Sequence, residues 1–323
     1  MTTPAVSAEA AHVVAVPVCG AGVSPYACGA VAETLAHATG YVIRVCGPDT
    51  PVAGAGGVVL RPGFGLEELT RADTVVVCAV PDPRTDRCPG WVPLLREAAA
   101  SGTRLVGTGT GVFALAEAGL LDGRHTAVHW PHAAVMAELF PQVLIEADAI
   151  LTTTGAGGVV TAAGGSCVLD ACLHVIRVDH GPAVAARVAR ELLVPGIRAG
   201  GQRGYAAPEP IDPTADAALG GLLTLLAGYP ARAWTIDAIA AAAGVSPRTL
   251  HRRFTAATGR APLDWLIDRR VHAAQLLLAD TDDPHTTIAA ATGFDSVASL
   301  RHHFRRLTGL APGQYRRTFR TTP

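Results

Sequence analysis

Lysine is missing altogether: all 26 lysine-plus-arginine positions in this 323-residue chain are arginine. In an Ala-, Gly- and Arg-rich chain that absence marks composition rather than a site, and it leaves no Lys-Ser/Thr ending for a P-loop. Charged residues are sparse, 16% against 49% apolar, which excludes a wholly disordered chain. Glycine (35) and proline (23) are plentiful yet aperiodic, which excludes collagen. No apolar run of about 20 residues escapes polar interruption, so no membrane partner is expected. The opening MTTPAVSAEA has neither the basic run nor the apolar core of a signal peptide, and a cytoplasmic location is expected. Cys19, Cys28, Cys46, Cys78, Cys88, Cys167 and Cys172 are odd in number and lack metal-ligand spacing. They are expected to be buried free thiols in a reducing compartment, with no metal and no cofactor.

What is there is unevenly divided. Residues 1–228 hold 13 arginines against 20 acids, a balance of −7, whereas residues 229–323 hold 13 arginines against seven aspartates, a balance of +6. An acidic body therefore carries a basic tail, and a basic tail favours a polyanionic partner. The length suits two domains. Residues 1–10 are expected to be a flexible N-terminus, 11–205 the first domain, 206–213 a linker and 214–320 the second domain. The join falls in GGQRGYAAPEPIDP (Gly200–Pro213), whose glycines and prolines interrupt both regular periods.

In the body, short apolar runs alternate with helical patterns. AHVVAVPV (Ala11–Val18), YVIRVCG (Tyr41–Gly47), DTVVVCAV (Asp73–Val80) and TRLVGTG (Thr103–Gly109) read as strands. A helix is expected over Cys28–Gly40, others around WVPLLREAAASG and GVFALAEAGLLDG, and two more in CVLDACLHVIRVDHG and PAVAARVARELLVPG. That alternation predicts an α/β layered sandwich with a mostly parallel sheet. Gly107-Thr108-Gly109-Thr110-Gly111 sits where a strand passes into a helix, the place where ligands approach such sheets. Val112 occupies the last glycine position of G-x-G-x-x-G, which argues against a dinucleotide site; a small-ligand site and a plain tight turn both remain open.

In the tail, Thr235 is a candidate cap for a short helix that ends at Gly244, and Ser246-Pro247 opens the next, through Thr258. Leu250 and Phe254 share the apolar face of that second helix, while Arg248, His251 and Arg252 lie away from it. Two short helices joined by a glycine turn have helix-turn-helix geometry. The pattern recurs: Ile239-Ala240 and Gly244 are matched 49 residues later by Ile288-Ala289 and Gly293. Leu250, Phe254, Gly259 and Pro262 are matched 50 residues later by Leu300, Phe304, Gly309 and Pro312. Between the copies, Asp264–Leu278 predicts one long helix with Leu266, Ala273, Ala274 and Leu277 inward. Such a connector could set two recognition helices in successive major-groove faces, roughly 34 Å apart.

The stretches GVSPYACGAVAETL (Gly22–Leu35), LVGTGTGVFALAEAGLLDGRHTAVHW (Leu105–Trp130), TAAGGSCVLDACLHVIRVDHG (Thr161–Gly181) and GGQRGY (Gly200–Tyr205) resemble the DJ-1/PfpI-like, class-I glutamine amidotransferase-like superfamily. TIDAIAAAAGVSPRTLHRRFTAATGRAP and IAAATGFDSVASLRHHFRRLTGLAPGQYRRTF resemble the AraC/XylS family of DNA-binding domains. The first resemblance implies a three-layer, flavodoxin-like sandwich, the second an all-α domain with two helix-turn-helix units. In the enzymes of the first group a cysteine stands at the strand-to-helix elbow with an acid near the first helix. Those positions fall here on Gly109 and Ala27, which offer neither nucleophile nor proton carrier. Cys28, Gly109, Thr110 and His129 are then left as ligand-pocket candidates, and no catalytic set is expected. The second resemblance departs from the family pattern at His285, where an apolar residue is usual, and at Val297 and Ala298, where base-reading residues are common.

For DNA contact the candidates are Arg248, Thr249, His251 and Arg252 in the first unit and Val297, Ser299, Arg301 and His302 in the second. Arg305, Arg306 and Arg316 are candidate phosphate contacts or solvated charges. Together the halves predict a transcriptional regulator that binds double-stranded DNA as a homodimer. Its degenerate first domain would answer to a small-molecule effector or serve dimerisation, with a contact to RNA polymerase. The alternative is an enzyme with a non-standard site fused to a DNA-binding domain.

Overall fold

The four apolar runs read from the sequence become adjacent strands; the central ones are covered on both faces, whereas Tyr41–Cys46 lies at the sheet edge with Val42 exposed. The computed structural model describes residues 11–19, 23–154, 158–194, 201–202, 217–258 and 260–319. The expected flexible N-terminus (1–10), the linker (206–213) and Gly259 of the repeat lie outside the described residues. The chain forms two units, Met1–Arg198 and Ala199–Pro323.

The first unit runs β1 (His12–Pro17), α1 (Pro25–Ala36), β2 (Tyr41–Cys46), β3 (Val52–Ala53), β4 (Val59–Leu60), β5 (Thr74–Val77), α2 (Val92–Ala100), β6 (Arg104–Thr108) and α3 (Val112–Glu117). It continues through β7 (His125–Ala127), α4 (Ala133–Leu139), β8 (Leu144–Glu146), β9 (Leu151–Thr154), β10 (Val159–Ala162) and α5 (Cys167–Glu191). Six strands form one sheet in the order β2-β1-β5-β6-β10-β9. All pairs are parallel except β10 with β9, where Val160 faces Thr153 across an antiparallel ladder. Strand periodicity sorts the side chains by face. Val14, Val16, Val76, Val106 and Val160 pack with α1 and α5, whereas Ala15, Val75, Val77, Leu105 and Val159 pack with α2 and α3. This is the three-layer sandwich that the DJ-1/PfpI-like resemblance implies.

Three local expectations are corrected. The first helix starts at Pro25, not Cys28, because the Ser24 hydroxyl accepts the Ala27 amide at 3.2 Å and Pro25 takes the first turn. The two helices expected near the end are one element, α5, interrupted where Gly181 adopts φ 83° ahead of Pro182. Of the seven cysteines expected to be free, Cys19 and Cys88 are joined as a disulfide across 69 residues. Cys19 follows β1, and the topology brings its loop beside the one that precedes α2, a pairing without a local sequence signal. The other five cysteines are buried and take no part in a disulfide.

The second unit is helical: α6 (Ala217–Gly228), α7 (Ile236–Ala242), α8 (Pro247–Thr258), α9 (Pro262–Asp280), α10 (His285–Ala291), α11 (Val297–Thr308) and α12 (Pro312–Phe319). α9 is the long connector, extended by two residues at its start because Pro262 suits a first helical turn. Of its four expected inward residues, Leu266 and Ala274 are fully buried and Ala273 and Leu277 half-buried; Trp265, Val271 and Leu278 are buried as well. The unit has two apolar cores. Leu250, Phe254, Trp265 and Leu266 belong to one, and Val271, Ala274, Leu278, Leu300 and Phe304 to the other, so successive turns of α9 serve different cores.

Candidate functional site

The repeat in the sequence is a repeat of interactions. Ser246 Oγ accepts the Thr249 amide at 3.3 Å, and Ser296 Oγ accepts the Ser299 amide at 3.1 Å, so each recognition-type helix is capped alike. Phe254 meets Trp265 edge-on at 5.7 Å between ring centres, and Phe304 meets Tyr315 edge-on at 5.3 Å. Thr258 Oγ1 donates to the Phe254 carbonyl at 2.7 Å, and Thr308 Oγ1 to the Phe304 carbonyl at 2.8 Å. The turn glycines Gly244 and Gly293 have φ of 65° and 80°, a region that L side chains rarely adopt.

With Leu250, Phe254, Leu300 and Phe304 turned inward, the opposite faces are set. Arg248, His251 and Arg252 are exposed on α8, and Arg301, His302, Arg305 and Arg306 on α11. Arg253 is also exposed on α8. It is not among the sequence candidates, although it adjoins Arg252 on a helix whose apolar face takes only Leu250 and Phe254. Three other candidates are more constrained. Thr249 and Ser299 are half-buried beside their caps, and Val297 packs partly against the second core. Arg316, expected as a phosphate contact or solvated charge, is half-buried and donates to the Asp283 carbonyl, which ties α12 to the loop before α10. His285 opens α10 with its ring against Gly313, where a Cβ would lie 3.4 Å from His285 Cε1. Its Nε2 is buried without a hydrogen-bond partner, and burial pushes its pKa below the usual histidine value.

In the α/β unit, the elbow after β6 is explained by packing. A Cβ on Gly111 would fall 2.0 Å from the Val77 carbonyl oxygen, and one on Gly107 2.8 Å from Leu115 Cδ1. Gly109 takes φ 57°. All three glycines are therefore required by a tight strand-to-helix turn, with no ligand needed to account for them. Thr110 Oγ1 accepts the Val80 amide and donates to the Val80 carbonyl, both at 3.1 Å, so its hydroxyl is engaged with backbone.

His129 and Gly109 do come together. A Cβ on Gly164 would lie 3.0 Å from His129 Nδ1, and 3.3 Å from Gly109 Cα. His132 stands next to His129, ring centres 5.9 Å apart, and burial holds both imidazoles below their ordinary pKa. Ala27 and Cys28 are buried in the first turns of α1. The Cys28 thiol hydrogen-bonds Cys78 at the end of β5; that contact, with burial, pushes the Cys78 pKa well up and keeps it a neutral thiol. Burial likewise raises Cys172 to about 12. Gly109 brings no side chain to the elbow, and no group of three or more metal-ligating side chains occurs among the described residues.

Capped, duplicated helix-turn-helix units with arginine-lined outer faces define a class, the helix-turn-helix DNA-binding regulators. A family model described as a helix-turn-helix domain matches residues 239–318. The chain is 35% identical over 282 residues to the HTH-type transcriptional regulator GlxA of Rhizobium meliloti, covering 83% of this chain and 84% of that protein. Among solved structures it is similar to a transcriptional regulator protein from Vibrio parahaemolyticus at TM-score 0.50 and 21% identity, covering 56% of this chain and 99% of that one. That share exceeds the helical unit, so the likeness takes in the α/β fold. Drosophila melanogaster DJ-1beta is similar at TM-score 0.47 and 18% identity, over 57% of this chain and 98% of that one. The chain belongs to the AraC family of transcriptional regulators, with its α/β unit ahead of the helix-turn-helix domain.

Proposed function

We propose that this regulator acts in the cytoplasm as a homodimer, reads two successive segments of one duplex with α8 and α11, and senses a small molecule through its α/β unit. The observation that carries the reading is the repeated unit itself: matching serine caps and inward Leu-Phe pairs leave Arg248, His251 and Arg252 on one helix and Arg301, His302 and Arg305 on the other, outward and exposed. In this assignment arginines near the helix starts pair with base edges, and Arg305 and Arg306 neutralise phosphates. Thr249, Val297 and Ser299 then sit at the margin of the interface. The domains are assigned as 11–205 and 214–320, joined by 206–213.

The α/β unit acts without chemistry in this proposal. Support comes from the elbow, where Gly109 and Ala27 replace the groups a nucleophilic mechanism needs and Thr110 is held by Val80. Cys28 faces Cys78 in the core, away from any substrate. Gly109, Gly164 and His129 line the place where an effector would bind, and its binding would shift the balance between two arrangements of the dimer. RNA polymerase contact belongs to the same proposal as the step that turns DNA occupancy into regulation.

The test is selection of genomic fragments by the purified full-length chain at two salt concentrations. A sequence motif that stays enriched at the higher salt is the expected result, because base contacts persist where counterion release fades. Retention that is indifferent to sequence and vanishes with salt overturns the specific-regulator reading. For the α/β unit, a metabolite that saturably raises Tm is expected. Turnover of a substrate that survives Cys28→Ala and disappears in His129→Ala would overturn the non-catalytic reading.

A further inference from the structure

The two turn glycines of the repeat have the same backbone and opposite surroundings. A Cβ on Gly244 would meet nothing within 4 Å. A Cβ on Gly293 would fall 2.7 Å from Ala231 Cα, 2.9 Å from the Ala231 carbonyl oxygen and 2.9 Å from Arg270 Nε. Gly293 is in the second unit's helix-turn-helix turn. Ala231 is in the turn that leads into the first unit, and Arg270 is on the connector α9. Three pieces of chain from different places thus close on one point.

Arg270 is the polar centre of that point. Its Nε donates to the Pro230 carbonyl at 2.8 Å and its Nη2 to the Arg232 carbonyl at 2.9 Å. The turn it grips is anchored in turn: Trp234 Nε1 donates to the Tyr229 carbonyl at 3.0 Å, and the Trp234 ring is buried in the first core. Along α9, Trp265 and Leu266 serve the first core and Val271 and Ala274 the second, so Arg270 sits where the cores separate. Two apolar cores strung on one helix could flex about it. A planar guanidinium that spans two carbonyls, pressed against a glycine that admits no Cβ, removes that freedom.

We propose that Arg270 and Gly293 form a clamp that fixes the first helix-turn-helix unit against the second, and so decides which spacing between two half-sites the protein accepts. Arg270 is a positioning residue in this assignment, since its bonds are to the protein's own carbonyls. The proposal rests on the reading of α8 and α11 as the two DNA-reading helices.

The experiment uses the full-length chain and the operator it selects, with one base pair added or removed between the two boxes. For the unaltered protein, a change of one base pair is expected to weaken binding by about tenfold or more, a cost like that of a mismatched base pair. Arg270→Ala is expected to bind the best spacing more weakly and to bring the ratio between best and altered spacings close to one. Gly293→Ala is expected to do the same with the guanidinium intact, because its Cβ prises Ala231 and Arg270 apart. Gly244→Ala has the same backbone strain and no neighbour, so it should lower affinity for all spacings alike.

An unchanged spacing ratio in both Arg270→Ala and Gly293→Ala, with far-UV circular dichroism showing both folded, overturns the clamp. A ratio that collapses equally in Gly244→Ala overturns it too, since strain rather than the seam would be the cause. If Arg270→Ala fails to fold, Gly293→Ala alone decides. Failure of the unaltered protein to bind any duplex specifically would instead overturn the DNA-reading assignment, which separates the two conclusions.

Discussion

The first and second helix-turn-helix units share a scaffold to the level of single hydrogen bonds, yet they diverge where they would face a groove. Ser246 and Ser296, Phe254 and Phe304, Thr258 and Thr308 make matching contacts. At the next step out, Arg248 in the first unit is replaced at the equivalent position by Ala298, and Arg252 by His302. What is kept is what a helix pair needs to hold its shape, and what varies lies on the exposed face. Duplication therefore separates scaffold from readout within one chain, without an alignment.

The largest effects should come from breaking what the units share. Phe254→Ala and Phe304→Ala each empty the centre of a core and are expected to cost about 3–5 kcal/mol. Because the cores are distinct, each change should melt its own unit first. Trp234 and Trp265 both lie in the first core, so tryptophan fluorescence should report Phe254→Ala more strongly than Phe304→Ala. Equal fluorescence responses would mean that the helical unit unfolds as one body.

Next in size is the readout on which the units differ. If Arg248 pairs with a base edge, Arg248→Ala should lose about 1–3 kcal/mol on the selected operator and relax preference at one position. Arg305→Ala should weaken all sequences alike and lower the slope of log affinity against log salt by about one, as expected for a phosphate contact. Uniform loss without any change of preference in Arg248→Ala would move it to the phosphate class.

Much of this division is legible in the amino-acid order itself. Helix caps, turn glycines and the 50-residue repeat are local signals, and the alternating apolar runs give the parallel sheet. Contacts between distant segments carry no such signal. Arg316 reads as one more basic residue of the tail, yet it is half-buried on the Asp283 carbonyl. Arg270 is one more charge on the connector until the fold brings it to carbonyls about 40 residues back. The same holds in the α/β unit: GTGTG suggests a phosphate loop, and what demands those glycines is the Val77 carbonyl and the Leu115 side chain.

A smaller effect, about 1 kcal/mol each, is expected for Ser246→Ala and Ser296→Ala, which remove equivalent caps. Urea midpoints read by circular dichroism at 222 nm should fall by similar amounts in the two variants. A much larger loss in one would show that its capping serine has taken on a second role, for instance at the DNA surface.

The smallest difference is one of acidity, and it should separate the units again. His285 and His303 belong to the second unit. Burial holds both imidazoles below the usual histidine pKa, with Arg316 and Arg301 opposing charge on His285 and Arg306 and His302 opposing it on His303. His303 also stacks on Phe294, ring centres 6.0 Å apart, and its Nδ1 is buried without a hydrogen-bond partner. A histidine whose folded pKa lies below its unfolded value of about 6.5 takes its proton first in the unfolded chain. Its contribution is therefore whole above that value and is lost as pH falls through it toward the folded pKa. α7 and α8 of the first unit carry no buried histidine; the one histidine there, His251, is exposed. His272 is also held low by burial, but it lies on the connector that both units share. Amide exchange should accordingly show α11 losing protection between pH 7.5 and 5.5 while α8 changes less, and His303→Gln should narrow that gap. Equal losses along both helices would mean that the two cores open together, and that the seam at Arg270 couples their stability as well as their spacing.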